Sequence, residues 1–131
     1  MNIIGGKTCS LFDLWSVCHF LTGVASCTII SKISSGKNGG TTAPLILILL
    51  LAYTWELLEF FLESGVAGPD IAYWFHGREF YLNRLLSDPF LMIAGYLAGC
   101  KYPRLIWPAR ILLAGWLWSA IVIFPHSMSY R

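Results

Sequence analysis

Charge is what this sequence holds least of: 12% of its 131 residues are Asp, Glu, Lys or Arg, and the net charge is only +2. A soluble domain of this length carries about twice that share. There is no basic run and no interleaving of aromatic with basic residues, so a nucleic-acid partner is excluded. Cysteine is sparse as well. Cys9, Cys18, Cys27 and Cys100 show no C-x2-C spacing for a structural metal, and Cys18 and Cys27 lie within an apolar stretch, where cysteine acts as a small hydrophobe. The redox compartment stays open on this basis. Also missing are a nucleophile motif, a phosphate-binding glycine loop and a cofactor fingerprint, so the sequence leaves enzymatic activity undecided.

What is present is apolar: 56% of residues are hydrophobic and 15% aromatic. Such a chain reads as one integral membrane domain spanning residues 1–131, an all-α polytopic helical bundle with four transmembrane helices. The expected spans are 11–33, 43–63, 88–102 and 105–124. The hydrophobic region of the first runs on past Ile29 without a clear small-x-small cleavage site, and it is read as a retained helix rather than a signal peptide. A glycine-rich polar loop at 34–42 closes a hairpin to the second, which begins with Pro44 in its first turn. Residues 71–87 mix aromatics with His76, Arg78, Glu79 and Arg84, a blend suited to the headgroup layer, so an interfacial segment is expected between helices two and three. Gly95 and Gly99, four apart, point to close helix packing, and Gly115 with Ser119 forms a weaker pair of the same kind.

Three carboxylates interrupt the end of the second span. At 100° per residue Glu56, Glu59 and Glu63 fall within about 60° of one another, on the face that also carries Ala52. That face cannot look at lipid, because a carboxylate in hydrocarbon costs at least about 2.5–3.5 kcal/mol. Four spans place both termini on one side. Asp13 and His19 then share a leaflet with Glu56, Glu59, Glu63 and Asp88, and the opposite halves of the helices carry no ionisable group. A proton or cation path across the membrane is disfavoured by that asymmetry. Lys32, Lys37, Lys101, Arg104 and Arg110 border the far side, and Lys7, Arg78, Arg84 and Arg131 the terminal side. This narrow difference puts the termini and the polar cluster outside.

Individual residues carry two readings each. Glu63, at the helix end, suits a solvated interface; Glu56, two turns deeper, calls for a partner. His19 beside Glu56 suits a carboxylate–imidazole interaction. Asp88 before Pro89 has the form of a helix N-cap, a role compatible with a site. As catalytic candidates we take His19, Glu56, Glu59 and Asp88. The candidate ligand contacts are His76, Arg78, Asn83 and Arg84, whose basic groups suit an anionic headgroup. His19, Glu56 and Glu59 form a candidate ligand set for a divalent metal, because an imidazole and an i, i+3 carboxylate pair suit such an ion.

His19, the Glu56-x2-Glu59 pair, and Asp88 followed by Gly95 and Gly99 together resemble the VanZ-like group of small bacterial membrane proteins. The resemblance covers residues 19–99. It implies a bacterial cell-membrane location and a part in cell-envelope processes. The expected function is binding of, or action on, an amphiphilic envelope component such as a lipid-linked phosphate, with membrane lipids as partners. The alternative is an accessory or assembly subunit whose carboxylate face meets another membrane protein.

Overall fold

The computed structural model describes residues 2–35, 42–75 and 77–123. Two short strands, β1 (Asn2–Ile4) and β2 (Ser10–Phe12), pair in parallel ahead of the first long helix. The helices are α1 (Leu14–Ser34), α2 (Thr42–Glu63), α3 (Pro69–Phe75), α4 (Asp88–Lys101) and α5 (Ile106–Trp118). Among the described residues three stretches, Leu14–Ser34, Thr42–Glu63 and Pro103–Val122, are long and apolar enough to cross a membrane.

The first helix starts three residues later than expected, and the cause is Asp13. Its carboxylate accepts from Ser16 N–H at 3.0 Å while the Ser16 hydroxyl faces Asp13 N–H at 3.2 Å, a reciprocal capping box that fixes the N-terminus. Residues 10–12 are thereby left outside the helix, in β2.

The helical run that carries α4 also departs from expectation. It begins at residue 81 and passes through a π-helical stretch, Asn83–Ser87, before Asp88. Ser87 and Asp88 both have helical dihedrals and no side-chain cap is made there, so Asp88 is not the N-cap that its proline neighbour suggests. The wider π turn lets Asn83, Arg84, Ser87 and Asp88 all be buried. The segment expected to be interfacial holds the seven-residue α3 and then this helical run.

The helices α1 and α4 pack closely. A methyl group added at Gly23 would overlap the Met92 carbonyl, and one at Gly95 the Phe20 carbonyl, so backbone meets backbone where a side chain would hold the helices apart. Gly99 lies against Val24 in the same crossing. Cys27, Ile30, Ile48, Ala52, Met92, Tyr96 and Ile106 form the apolar core. Cys27 and Cys100 are joined by a disulfide, and Arg110 ties α5 to α1 by donating to the Ala25 carbonyl at 3.1 Å and to Thr28 Oγ1 at 2.9 Å.

Helix α2 is built inside out. Its buried residues are Ile48, Ala52, Glu56, Glu59 and Glu63, while Leu50, Leu51, Leu57, Leu58, Phe60 and Phe61 are exposed. This is the arrangement that lipid imposes: apolar side chains outward, carboxylates inward.

Candidate functional site

Where α1 begins, α2 ends and the 79–88 segment enters α4, the interior is polar. Asp13 caps α1, which supplies Ser16 and His19; Glu56, Glu59 and Glu63 come from α2, and Glu79, Asn83, Arg84, Ser87 and Asp88 from the chain that leads into and opens α4; all are buried. Glu63, which suits a solvated interface by position, is enclosed with the rest, because Lys7 and Arg84 meet its two oxygens.

His19 lies at the centre of one group. Its Nε2 is 3.3 Å from Glu56 Oε1 and 3.2 Å from Asp88 Oδ2, yet neither oxygen receives a hydrogen bond. A ring nitrogen carries one proton at most, so it cannot satisfy two carboxylates that converge on it. The other Asp88 oxygen is held. Ser16 Oγ is 2.8 Å from Oδ1, closer than to Asn83 or Asp13, and its single proton goes there.

A second group contains Glu59, Glu63, Glu79 and both buried cations. Lys7 Nζ reaches Glu59 Oε1 at 3.0 Å and Glu63 Oε1 at 2.5 Å, and lies 4.9 Å from the centre of the Phe75 ring. Arg84 donates to Glu63 Oε2 at 2.7 Å, with Glu79 Oε2 at 3.3 Å and Glu56 Oε2 at 3.5 Å. The Asn83 amide donates to Glu79 Oε1 at 2.9 Å.

Lys7 arrives from an unexpected place. The loop between β1 and β2 is pinned by Phe80 N–H donating to the Lys7 carbonyl at 2.9 Å, and it delivers a side chain that is 2% exposed. Burial disfavours its ammonium, but Glu59 and Glu63 together outweigh that cost and hold its pKa above the ordinary lysine value. The Asp13 carboxyl is pushed up by burial, against the hydrogen bonds of Ser16 and Trp15. Burial, and then the charges of Glu59, Asp88, Glu56 and Asp13, push Glu79 up to about 11.

The charge balance explains that direction. Among the described residues six carboxylates are buried here, Asp13, Glu56, Glu59, Glu63, Glu79 and Asp88, against two permanent cations, Lys7 and Arg84. An excess of four negative charges in a low-dielectric interior has to be met by protons or by further cations. Among the described residues two sets have ligand atoms close enough to share an ion, His19 with Glu56 and Asp88, and Glu56 with Glu59 and Glu79, each within 4.8 Å. The expected metal set of His19, Glu56 and Glu59 is therefore divided: Glu56 joins both groups, His19 belongs with Asp88, and Glu59 with Glu79.

Of the other candidates, Asn83 and Arg84 are within the cluster. Arg78 is outside it and exposed, with its guanidinium 5.9 Å from the Phe60 ring centre. His76 lies outside the described residues. Sequence reasoning missed Lys7, Ser16 and Glu79. Only Glu79 left a signal, as an acid within an otherwise basic and aromatic segment.

Comparison of the chain with protein families, with characterised proteins and with solved structures finds no match.

Proposed function

We propose that this is a small integral protein of the bacterial cell membrane that holds a divalent cation between His19, Glu56 and Asp88. With it the protein binds or acts on the phosphate of an amphiphilic envelope component. The observation that carries the reading is the convergence on His19 Nε2 of two carboxylate oxygens that accept no hydrogen bond, from residues 2% and 0% exposed. Imidazole with carboxylates is a donor set for Zn²⁺, Mn²⁺ or Fe²⁺. The Ser16 hydroxyl on Asp88 Oδ1 is the outer-sphere contact that such a ligand needs for orientation.

A cation bound there would supply Lewis-acid polarisation of a phosphoryl oxygen. The chain's own groups suit the rest of the task. Arg84, anchored by Glu63, sets a guanidinium beside the carboxylates, and Arg78 offers a second anion contact at the exposed rim. The helical run into α4 serves as a fourth crossing, so the cluster lies in one leaflet, within reach of a headgroup. The resemblance of residues 19–99 to the VanZ-like group points to the same setting.

Metal content and lipid selectivity test the reading together. Protein purified in mild detergent and washed with a weak chelator should retain a divalent metal that Asp88→Asn loses. The loaded protein should bind bilayers doped with a prenyl phosphate more tightly than bilayers doped with the prenyl alcohol. No retained metal in the wild type, or equal binding of alcohol and phosphate, would overturn it.

A further inference from the structure

The cation proposed above would neutralise half of the buried charge excess, and the carboxylates of the cluster have a common design. One oxygen of Asp88 is taken by Ser16 and the other is bare. One oxygen of Glu79 is taken by Asn83 and the other is bare. Glu59 gives one oxygen to Lys7. Glu56 differs from all of these, because neither of its oxygens accepts a hydrogen bond although the residue is 2% exposed. Its Oε1 faces His19 on one side, and its Oε2 lies towards Arg84 on the other. A buried carboxylate whose two oxygens face His19 and Arg84 without accepting a hydrogen bond, between two groups whose other carboxylates each have one oxygen fixed from behind, has the form of a bridging ligand.

We propose that the cluster is a dinuclear centre, with a second divalent cation between Glu56, Glu59 and Glu79 and with Glu56 bridging it to the first. The inference rests on the one-cation reading above and extends it. Two divalent ions cancel the excess of four negative charges among the described buried residues, which one ion leaves half unmet. Ligand atoms of the second group lie within 4.8 Å of one another, and two-metal centres in general hold their ions roughly 3.5–4 Å apart through such a shared carboxylate. Arg84 does not fill the second position. Its hydrogen bond goes to Glu63, and its separations of 3.3 and 3.5 Å from Glu79 and Glu56 do not satisfy those oxygens.

The two positions differ in chemistry. The first has an imidazole and two carboxylates; the second has carboxylates alone, a harder set that suits Mg²⁺ or Mn²⁺. Ser16 and Asn83 are positioning residues in this scheme. Ser16 acts through Asp88 Oδ1 and Asn83 through Glu79 Oε1, one behind each position. Two divalent ions held here would favour a phosphoryl group over a neutral headgroup as the ligand.

Mn²⁺ is the probe. The full-length protein, stripped by chelator and reloaded with Mn²⁺ in detergent, should hold two ions per chain and show the low-temperature electron paramagnetic resonance spectrum of an exchange-coupled pair. Glu79→Gln should hold one ion with an isolated-ion spectrum. Glu59→Gln gives the same reading if Glu79→Gln does not fold, and the wild-type stoichiometry needs neither variant. One uncoupled Mn²⁺ in the wild type would overturn the second position and leave the first standing. No Mn²⁺ would overturn both. Two ions retained in Glu79→Gln, or two uncoupled ions in the wild type, would also overturn the dinuclear centre.

Discussion

Replacing Lys7 with methionine removes an ammonium that contacts two carboxylates while keeping the length and apolar bulk of its stem. The side chain is 2% exposed, and those of its partners Glu59 and Glu63 are 4% and 0% exposed. Breaking a buried pair by removing one partner costs about 3–5 kcal/mol, far more than an exposed pair, because the charge left behind has no solvent to receive it. Arg84 still holds Glu63 at 2.7 Å, so Glu59 is the residue stranded, and the lower end, about 3 kcal/mol, is expected. Adding Glu59→Gln to Lys7→Met should recover part of that loss, with a coupling of roughly 0.5–3 kcal/mol between the two positions. Equilibrium unfolding in mixed detergent and dodecyl sulfate micelles, followed by tryptophan fluorescence, measures both. A loss in Lys7→Met below about 1 kcal/mol, the range of an exposed surface pair, would refute the buried-pair argument. The pH dependence has a defined sign. The folded-state pKa of Lys7 is raised, so its contribution is complete below the ordinary value of 10.5 and is lost as pH rises through the higher folded value. The difference between wild type and Lys7→Met should accordingly narrow only in strongly alkaline solution.

Gly95→Leu should destabilise the bundle by at least about 1–3 kcal/mol, since even the first carbon of the new side chain meets the Phe20 carbonyl; native-like unfolding of that variant would disprove the close α1–α4 crossing. Ser16→Ala should weaken metal retention roughly 10- to 100-fold by freeing Asp88, with Ser16→Thr restoring much of it, and metal titration of the two variants checks this. Alkylation followed by mass spectrometry should label exposed Cys9 in the native protein and buried Cys18 only after unfolding. Cys27 and Cys100 should react only after reduction, and their labelling in unreduced, unfolded protein would contradict the disulfide.

The carboxylate face of α2 could be read directly from residue order, because a helix angle is a local property and lipid permits one solution only. Glu56, Glu59 and Glu63 with Ala52 are the inward set in the structure. The G-x3-G spacing of Gly95 and Gly99 likewise foretold a helix crossing, since a missing side chain has a meaning wherever it stands in a membrane helix. Asp88 was less legible. Its Ser-Asp-Pro context suits an N-cap, but the helix had already begun some turns earlier, and the π-helical stretch Asn83–Ser87 turned the carboxylate towards Ser16 and His19. Lys7 was not legible at all, because nothing local to residues 5–9 shows that this loop folds down on α2 more than fifty residues away.

Composition and periodicity by themselves determined that the chain is a bundle of apolar helices, that its embedded charge gathers at one end, and that His19, Glu56 and Asp88 belong to that end. These follow from the cost of a charge in hydrocarbon, which acts on each helix separately. The tertiary structure alone decided which oxygen faces which nitrogen: that His19 joins Asp88 rather than Glu59, that Ser16 and Asn83 each hold one oxygen of a carboxylate, and that Glu56 has both oxygens bare between the two groups. Those pairings depend on separations of a few ångströms between side chains from different helices. They are set by the depth at which the glycines let α1 and α4 meet, and no pattern within a single helix encodes that depth.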